Sequence, residues 1–208
     1  MYFFPAFFFI NFTAAIFNNL SQMELKKQQY VIDGIPVTAL AEKHGTPLYI
    51  YESGKMIQQY ERMMKAFRGT RTKIHYACKA LTNLSVLKLF RQMGAGLDAV
   101  SVQEVQLGLK AGFDPRDIIY TPNCVSMEEI NQAVELGVKI NIDNLSVLEE
   151  FGHVHDGRVP VCIRINPHIL AGGNHKISTG HIDSKFGISI HQVPLVKRIV
   201  ETNGMHVE

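Results

Sequence analysis

Ser-x-x-Glu occurs three times in the middle of this chain, at Ser101–Glu104, Ser126–Glu129 and Ser146–Glu149, each time between a short apolar run and an amphipathic one. In such a quartet the serine oxygen accepts from the third backbone amide of a helix and the glutamate reaches back to the cap amide, so donors that a helix start leaves unpaired are satisfied. Glycines follow the amphipathic runs at Gly69, Gly94, Gly112, Gly137, Gly152 and Gly204, where a left-handed C-terminal cap is expected. Periodicity places strands at Leu48–Tyr51, Lys73–Cys78, Gly96–Val100, Ile118–Thr121, Lys139–Ile142 and Val159–Ile165, with another starting at Met205. It places helices at Gly54–Phe67, Leu84–Met93, Val102–Ala111, Met127–Leu136, Val147–Phe151 and Pro194–Thr202. A repeated strand-loop-helix unit implies an α/β fold with a parallel sheet, either doubly wound or a (β/α)8 barrel.

The loops bear on that choice. Gly94-Ala95-Gly96 precedes a strand, whereas a dinucleotide fingerprint sits between strand and helix, so both glycines read as turn and cap residues. Polar side chains collect at the strand C-termini: Lys79, Asp98 with Ser101, Asn123, Asp143, and Arg164 with Asn166. A barrel gathers those ends into one mouth. Capping and turn roles account for Ser101, Asn123 and Asp143, and Glu104 is explained by its box. Arg164 is not so explained: Val161-Cys162-Ile163-Arg164-Ile165 is strand-like, and a permanent cation there calls for a pocket or an anion.

Lys79 closes the apolar run Lys73-Ile74-His75-Tyr76-Ala77-Cys78. Two readings stand at this point. A desolvated lysine at a strand end can lose its proton and form a Schiff base with a carbonyl compound; a lysine on a barrel rim can also simply extend its ammonium to water.

Composition narrows the function classes. With 208 residues, 46% apolar and 19% charged, the chain can bury a sizeable core, and a net charge of +2 with interspersed signs offers no basic stripe for nucleic acid. Cys78, Cys124 and Cys162 lie far apart without a Cys-x-x-Cys pair, which fits thiols in a reducing cytoplasm. His153, His155, His168, His175 and His181 lack acidic partners at ligand spacing, so no metal site is expected. Met1 to Met23 carry no charge and are crowded with phenylalanine. Pro5 and Asn11 interrupt them and no basic start or small-residue end frames them, so they read as neither signal peptide nor membrane span. A start at Met23 is expected, with residues 1–22 outside the fold, and the sequons at Asn11, Asn19, Asn83 and Asn144 carry no weight.

Several segments together resemble the fold-type III pyridoxal-phosphate decarboxylases. Tyr76-Ala77-Cys78-Lys79-Ala80 is similar to their lysine-bearing segment, and Gly94-Ala95-Gly96-Leu97-Asp98-Ala99-Val100-Ser101 with Glu104 to their second-strand motif. Arg164-Ile165-Asn166-Pro167 resembles the fifth-strand motif; Ile177-Ser178-Thr179-Gly180 and Asp183-Ser184-Lys185-Phe186-Gly187-Ile188 resemble the loop before the next helix, pointing to the diaminopimelate branch. The order of these motifs carries more weight than any one of them, and Leu81-Thr82-Asn83 departs slightly from the pattern after Lys79.

The resemblance implies a (β/α)8 TIM-type barrel, incomplete here at about five to six strands, over residues 48–208, led in by residues 23–47, with the family's C-terminal β domain, phosphate loop and cofactor-stacking histidine missing. It implies pyridoxal 5'-phosphate as cofactor. The same resemblance implies that Lys79 is the catalytic Schiff-base lysine and that Asp98, Glu104 and Arg164 join it as cofactor-pocket residues. It also implies decarboxylation of an amino-acid substrate, diaminopimelate giving lysine, by a homodimer without nucleic-acid or membrane partners. An ornithine or arginine decarboxylase, an amino-acid racemase and a noncatalytic cofactor-binding homologue share the scaffold. As an N-terminal part alone, the chain is expected to retain cofactor weakly, turn over little and expose a sheet edge that invites aggregation.

Overall fold

Asp33 and Gly34, with φ of 52° and 78°, form a tight two-residue reversal of the kind that joins neighbouring antiparallel strands. Around it the computed structural model, which describes residues 6–9, 23–169, 179–181 and 184–208, builds a small meander from β2 (Glu24–Lys26), β3 (Gln29–Ile32) and β4 (Ile35–Pro36). These strands were not expected within the lead-in segment; the Asp-Gly pair is the signal that marks them. Residues Ala6–Phe9 form β1, which pairs in parallel with β5 (Leu48–Tyr51). Four residues of the segment expected to stand outside the fold therefore share a backbone ladder with it. Helices α1 (Val37–His44) and α2 (Ser53–Ala66) complete the first compact unit, Met1–Ile74, where Ile32 and Leu40 are buried. His175, Ile177, Ser178 and Asp183 lie outside the described residues.

The second unit, His75–Glu208, holds a parallel sheet of β6 (His75–Ala77), β7 (Gly96–Ala99), β8 (Ile118–Tyr120), β9 (Lys139–Ile142) and β10 (Val161–Ile163), in strict sequence order. A doubly wound sheet reverses its order at a switch point; this one never does, which is the topology of a barrel arc. Connecting helices are α3 (Leu84–Gln92), α4 (Val102–Ala111), α5 (Met127–Glu135) and α6 (Leu145–His155).

Side chains on a strand alternate between faces. Leu97, Ala99, Ile118, Tyr120, Ile140, Ile142 and Val161 are all buried and share one core with Val102 and Val105 of α4, Ile130 and Ala133 of α5, and Leu148 and Phe151 of α6. Burying a side chain of this size stabilises the fold by about 1.5–3 kcal/mol, so this face commits the helices to one side. The opposite face carries His75, Ala77, Asp98, Ile119, Asn141 and Cys162, all only half-buried.

After β10 the chain passes through Arg164 and changes partner strand, continuing as β11 (Ile165–Asn166), paired in parallel with β12 (Ile188–Ser189), and α7 (Val193–Thr202) follows. The expected strand start at Met205 is present as a parallel bridge between Val161 and Val207, with the Val161 amide donating to the His206 carbonyl at 2.9 Å.

Three local expectations are corrected. Helix α6 starts at Leu145, capped by Asn144, whose side chain accepts from the Ser146 and Val147 amides, so Ser146 and Glu149 are interior residues and make no capping box. The same helix runs on to His155 and ends at Asp156 in a left-handed conformation. Gly152 is thus not a cap but a contact residue, where a Cβ would stand 2.9 Å from Asn203 Cβ. Gly96 has an ordinary φ; it is glycine because a Cβ would strike the His75 ring and the Asp117 carbonyl oxygen, 2.8 Å away.

Candidate active site

The turn that carries Lys79 is anchored from behind. Strand β6 ends at Ala77, and Cys78–Ala80 form a single 3-10 turn, so the lysine sits one step past the strand rather than on it. Tyr76 points to the helix side, stacks on Phe90 of α3 with centroids 4.1 Å apart, and donates its hydroxyl to the Leu81 carbonyl at 3.1 Å. Cys78 is fully buried in the core. With Tyr76 and Cys78 fastened on the helix side, the turn leaves Lys79 exposed, and it makes no hydrogen bond or ion pair among the described residues.

Asp98 lies beside this turn, since its register partner on β6 is Ala77. The half-buried carboxylate has no hydrogen-bond partner among the described residues. Glu104 stands one turn into α4: its backbone amide donates to Ser101 Oγ at 3.2 Å, and its Oε2 accepts from the Val100 amide at 2.8 Å. The glutamate reaches one residue further back than the capping-box pattern predicts and pins the corner between β7 and α4. Both carboxylates lie close enough to act on the Cys78 thiol: burial, then Glu104, then Asp98 push it from its usual 9 up to about 12. A proton held that tightly leaves Cys78 no nucleophilic role.

Further along the same face, the Asn141 amide donates to Thr121 Oγ1 at 3.3 Å, and the Asn123 amide donates to Asp143 Oδ2 at 3.0 Å. Asp143 also precedes Asn144, the true cap of α6, so the capping role expected of Asp143 passes to its neighbour. Asn141 and Thr121 were missed in the sequence; a single asparagine inside Lys-Ile-Asn-Ile was the available signal.

Arg164 directly follows the far strand β10, which lies four interstrand spacings or roughly 19 Å from β6 measured along the sheet. Its amide donates to the Ile142 carbonyl and its carbonyl accepts from the Ile188 amide, each at 2.8 Å, so the ladder from Cys162 continues through it. The side chain therefore shares the Cys162 face. Its guanidinium lies 4.8 Å from the centroid of the Phe186 ring and forms no ion pair among the described residues. The structure thus groups Lys79, Asp98 and Glu104 at one end of the face and sets Arg164 at the other.

An uncommitted primary amine, an uncommitted carboxylate and an uncommitted guanidinium on one polar face suit a ligand with a carbonyl group and an anionic group. Residues 53–207 match the family described as pyridoxal-dependent decarboxylase, pyridoxal binding domain. The chain belongs to this family. Its cofactor is pyridoxal phosphate, and the unspent amine and cation fit an aldehyde that also carries a phosphate. The diaminopimelate decarboxylase of Methanothermobacter thermautotrophicus is 38% identical over 175 residues, covering 83% of this chain and 41% of that protein. Among solved structures, diaminopimelate decarboxylase from M. jannaschii in complex with L-lysine superposes with a TM-score of 0.77 at 30% identity, covering 88% of this chain and 45% of that one. The Helicobacter pylori enzyme complexed with L-lysine gives 0.74 at 32%, covering 83% and 44%. The chain spans somewhat less than half the length of these relatives. Among the described residues, no helix is long and apolar enough to cross a membrane.

Proposed function

We propose that this chain supplies the lysine-bearing part of a pyridoxal-phosphate decarboxylase that converts meso-diaminopimelate to L-lysine in the cytoplasm, acting as a homodimer. The observation that carries this reading is Lys79 standing exposed and unpaired among the described residues in the turn after β6, a turn fastened by Tyr76 and Cys78 and following Ala77, the register partner of a half-buried Asp98. The names of the relatives support the substrate; the family description leaves it open.

Pyridoxal phosphate, when bound, supplies an aldehyde for an amine and a ring that accepts the electron pair left by departing carbon dioxide. Lys79 Nζ would hold the cofactor through that aldehyde and afterwards carry a proton at the same nitrogen. Asp98 would orient the lysine amine and the cofactor ring from the neighbouring strand. Glu104 has one oxygen committed to the Val100 amide, which keeps its other oxygen fixed at the pocket edge. Arg164 would place a permanent positive charge opposite the cofactor's anionic side.

Incubating the chain with pyridoxal phosphate, reducing with borohydride and mapping the peptides tests the first part: label on Lys79, lost in Lys79→Ala, is the expected result, and label spread over surface lysines overturns it. A chimera in which residues 53–207 replace the matching segment of the Methanothermobacter thermautotrophicus enzyme tests the second. It should release carbon dioxide from diaminopimelate and not from ornithine; the reverse preference removes the substrate assignment.

A further inference from the structure

We infer that Phe186 is a positioning residue that holds the Arg164 guanidinium in place on the cofactor face while leaving its charge unspent; this rests on the functional reading above. The backbone of Arg164 is fixed from both sides by the 2.8 Å hydrogen bonds to Ile142 and Ile188, but its long side chain is not. Among the described residues, the contact that meets the guanidinium is the Phe186 ring, 4.8 Å from centroid to Cζ.

That ring is delivered by a closely fitted segment. The Phe186 amide donates to Ser184 Oγ at 3.3 Å. Gly187 follows with φ of 83°, so near β11 that a Cβ would stand 2.8 Å from the Asn166 amide nitrogen and 3.0 Å from the Ile165 carbonyl carbon. Only glycine fits a left-handed residue pressed against backbone in this way. Asn166, 3% exposed, secures the other side: its amide donates to the His181 carbonyl and its Oδ1 accepts from the His168 amide, both at 3.0 Å.

The choice of an aromatic partner has a chemical consequence. A carboxylate would orient the guanidinium but also neutralise it and occupy its N–H donors. A ring face attracts the cation through its quadrupole and leaves the edge donors and the full charge available to an anion. Lys185, whose ammonium lies 5.1 Å from the same centroid, is exposed and serves as the control cation.

The test uses the full chain with 15N-labelled arginine and two readouts, the Arg164 Nε–H resonance without cofactor and the dissociation constant for pyridoxal phosphate. Phe186→Leu keeps apolar bulk and loses the ring; Phe186→Tyr keeps the face. Expected is a ring-current-shifted Arg164 signal that survives Phe186→Tyr and Lys185→Ala and collapses in Phe186→Leu, with cofactor binding weakened roughly three- to tenfold in Phe186→Leu alone. In an Arg164→Met background Phe186→Leu should add nothing. Equal weakening in that background, or unchanged binding in Phe186→Leu, overturns the inference. A chain that takes up no cofactor while its Arg164 signal still depends on Phe186 removes the functional reading instead and leaves the positioning contact standing.

Discussion

The Tyr76 hydroxyl donates to the Leu81 carbonyl across the very turn that carries Lys79, so a residue on the helix side of the sheet fastens the turn that exposes the lysine. Tyr76→Phe keeps the ring that stacks on Phe90 and removes the hydroxyl that makes that bond. We expect a loss of about 1 kcal/mol in urea unfolding and a lower yield of borohydride-fixed pyridoxal label on Lys79. Unchanged yield at reduced stability would separate the hydroxyl from the lysine.

Helix α6 offers a test of which residue caps it. Asn144→Ala should cost about 1 kcal/mol, because its side chain accepts from two first-turn amides. Ser146→Ala should cost no more than about 0.5 kcal/mol at an exposed position without a capping role. Thermal melts of the two variants, compared side by side, would invert this order if Ser146 capped the helix.

Tyr120 is fully buried and its hydroxyl has no hydrogen-bond partner among the described residues. Burial, then Glu129, push the phenol from its usual 10 up to about 12. Below pH 10 the phenol is protonated both folded and unfolded, so its contribution is fully present. Between pH 10 and 12 the unfolded chain releases the proton while the folded one keeps it, and stability falls as pH rises. Tyr120→Phe should raise stability by about 1 kcal/mol at neutral pH and flatten this alkaline decline, measured as urea midpoints across the range.

Thiol reactivity should separate the cysteines. Cys124 is exposed and Cys78 fully buried with its proton held to about 12. At pH 8 a small alkylating reagent should modify Cys124 within minutes and Cys78 only on unfolding; mass spectrometry of the labelled peptides would show the reverse order if the turn before Lys79 opened readily.

Much of the barrel arc was legible because local signals agreed. Ser101 and Ser126 cap α4 and α5 as their quartets predict, and each strand from β7 to β9 lies within its predicted span. The failures came where two local signals competed or where the reason was not local. Asn144 and Ser146 are both good caps two residues apart, and only the packing of Leu148 and Phe151 into the core selects the earlier start. Gly152 resembled a helix stop, yet it answers to Asn203 and Met205, some fifty residues away in sequence.

By itself the sequence determined the alternation of elements and the lysine segment, since these follow from short-range patterning and residue chemistry, and its ordered motifs carried the resemblance that implied the family and its cofactor. Tertiary structure alone decided the rest. Strand order, which depends on long-range pairing, settled barrel arc over doubly wound sheet; the helix-side anchors Tyr76 and Cys78 leave Lys79 exposed and without a partner among the described residues. Contacts between segments such as Arg164 and Phe186 exist only when the chain between them has closed, and no periodicity along the sequence encodes a distance across it.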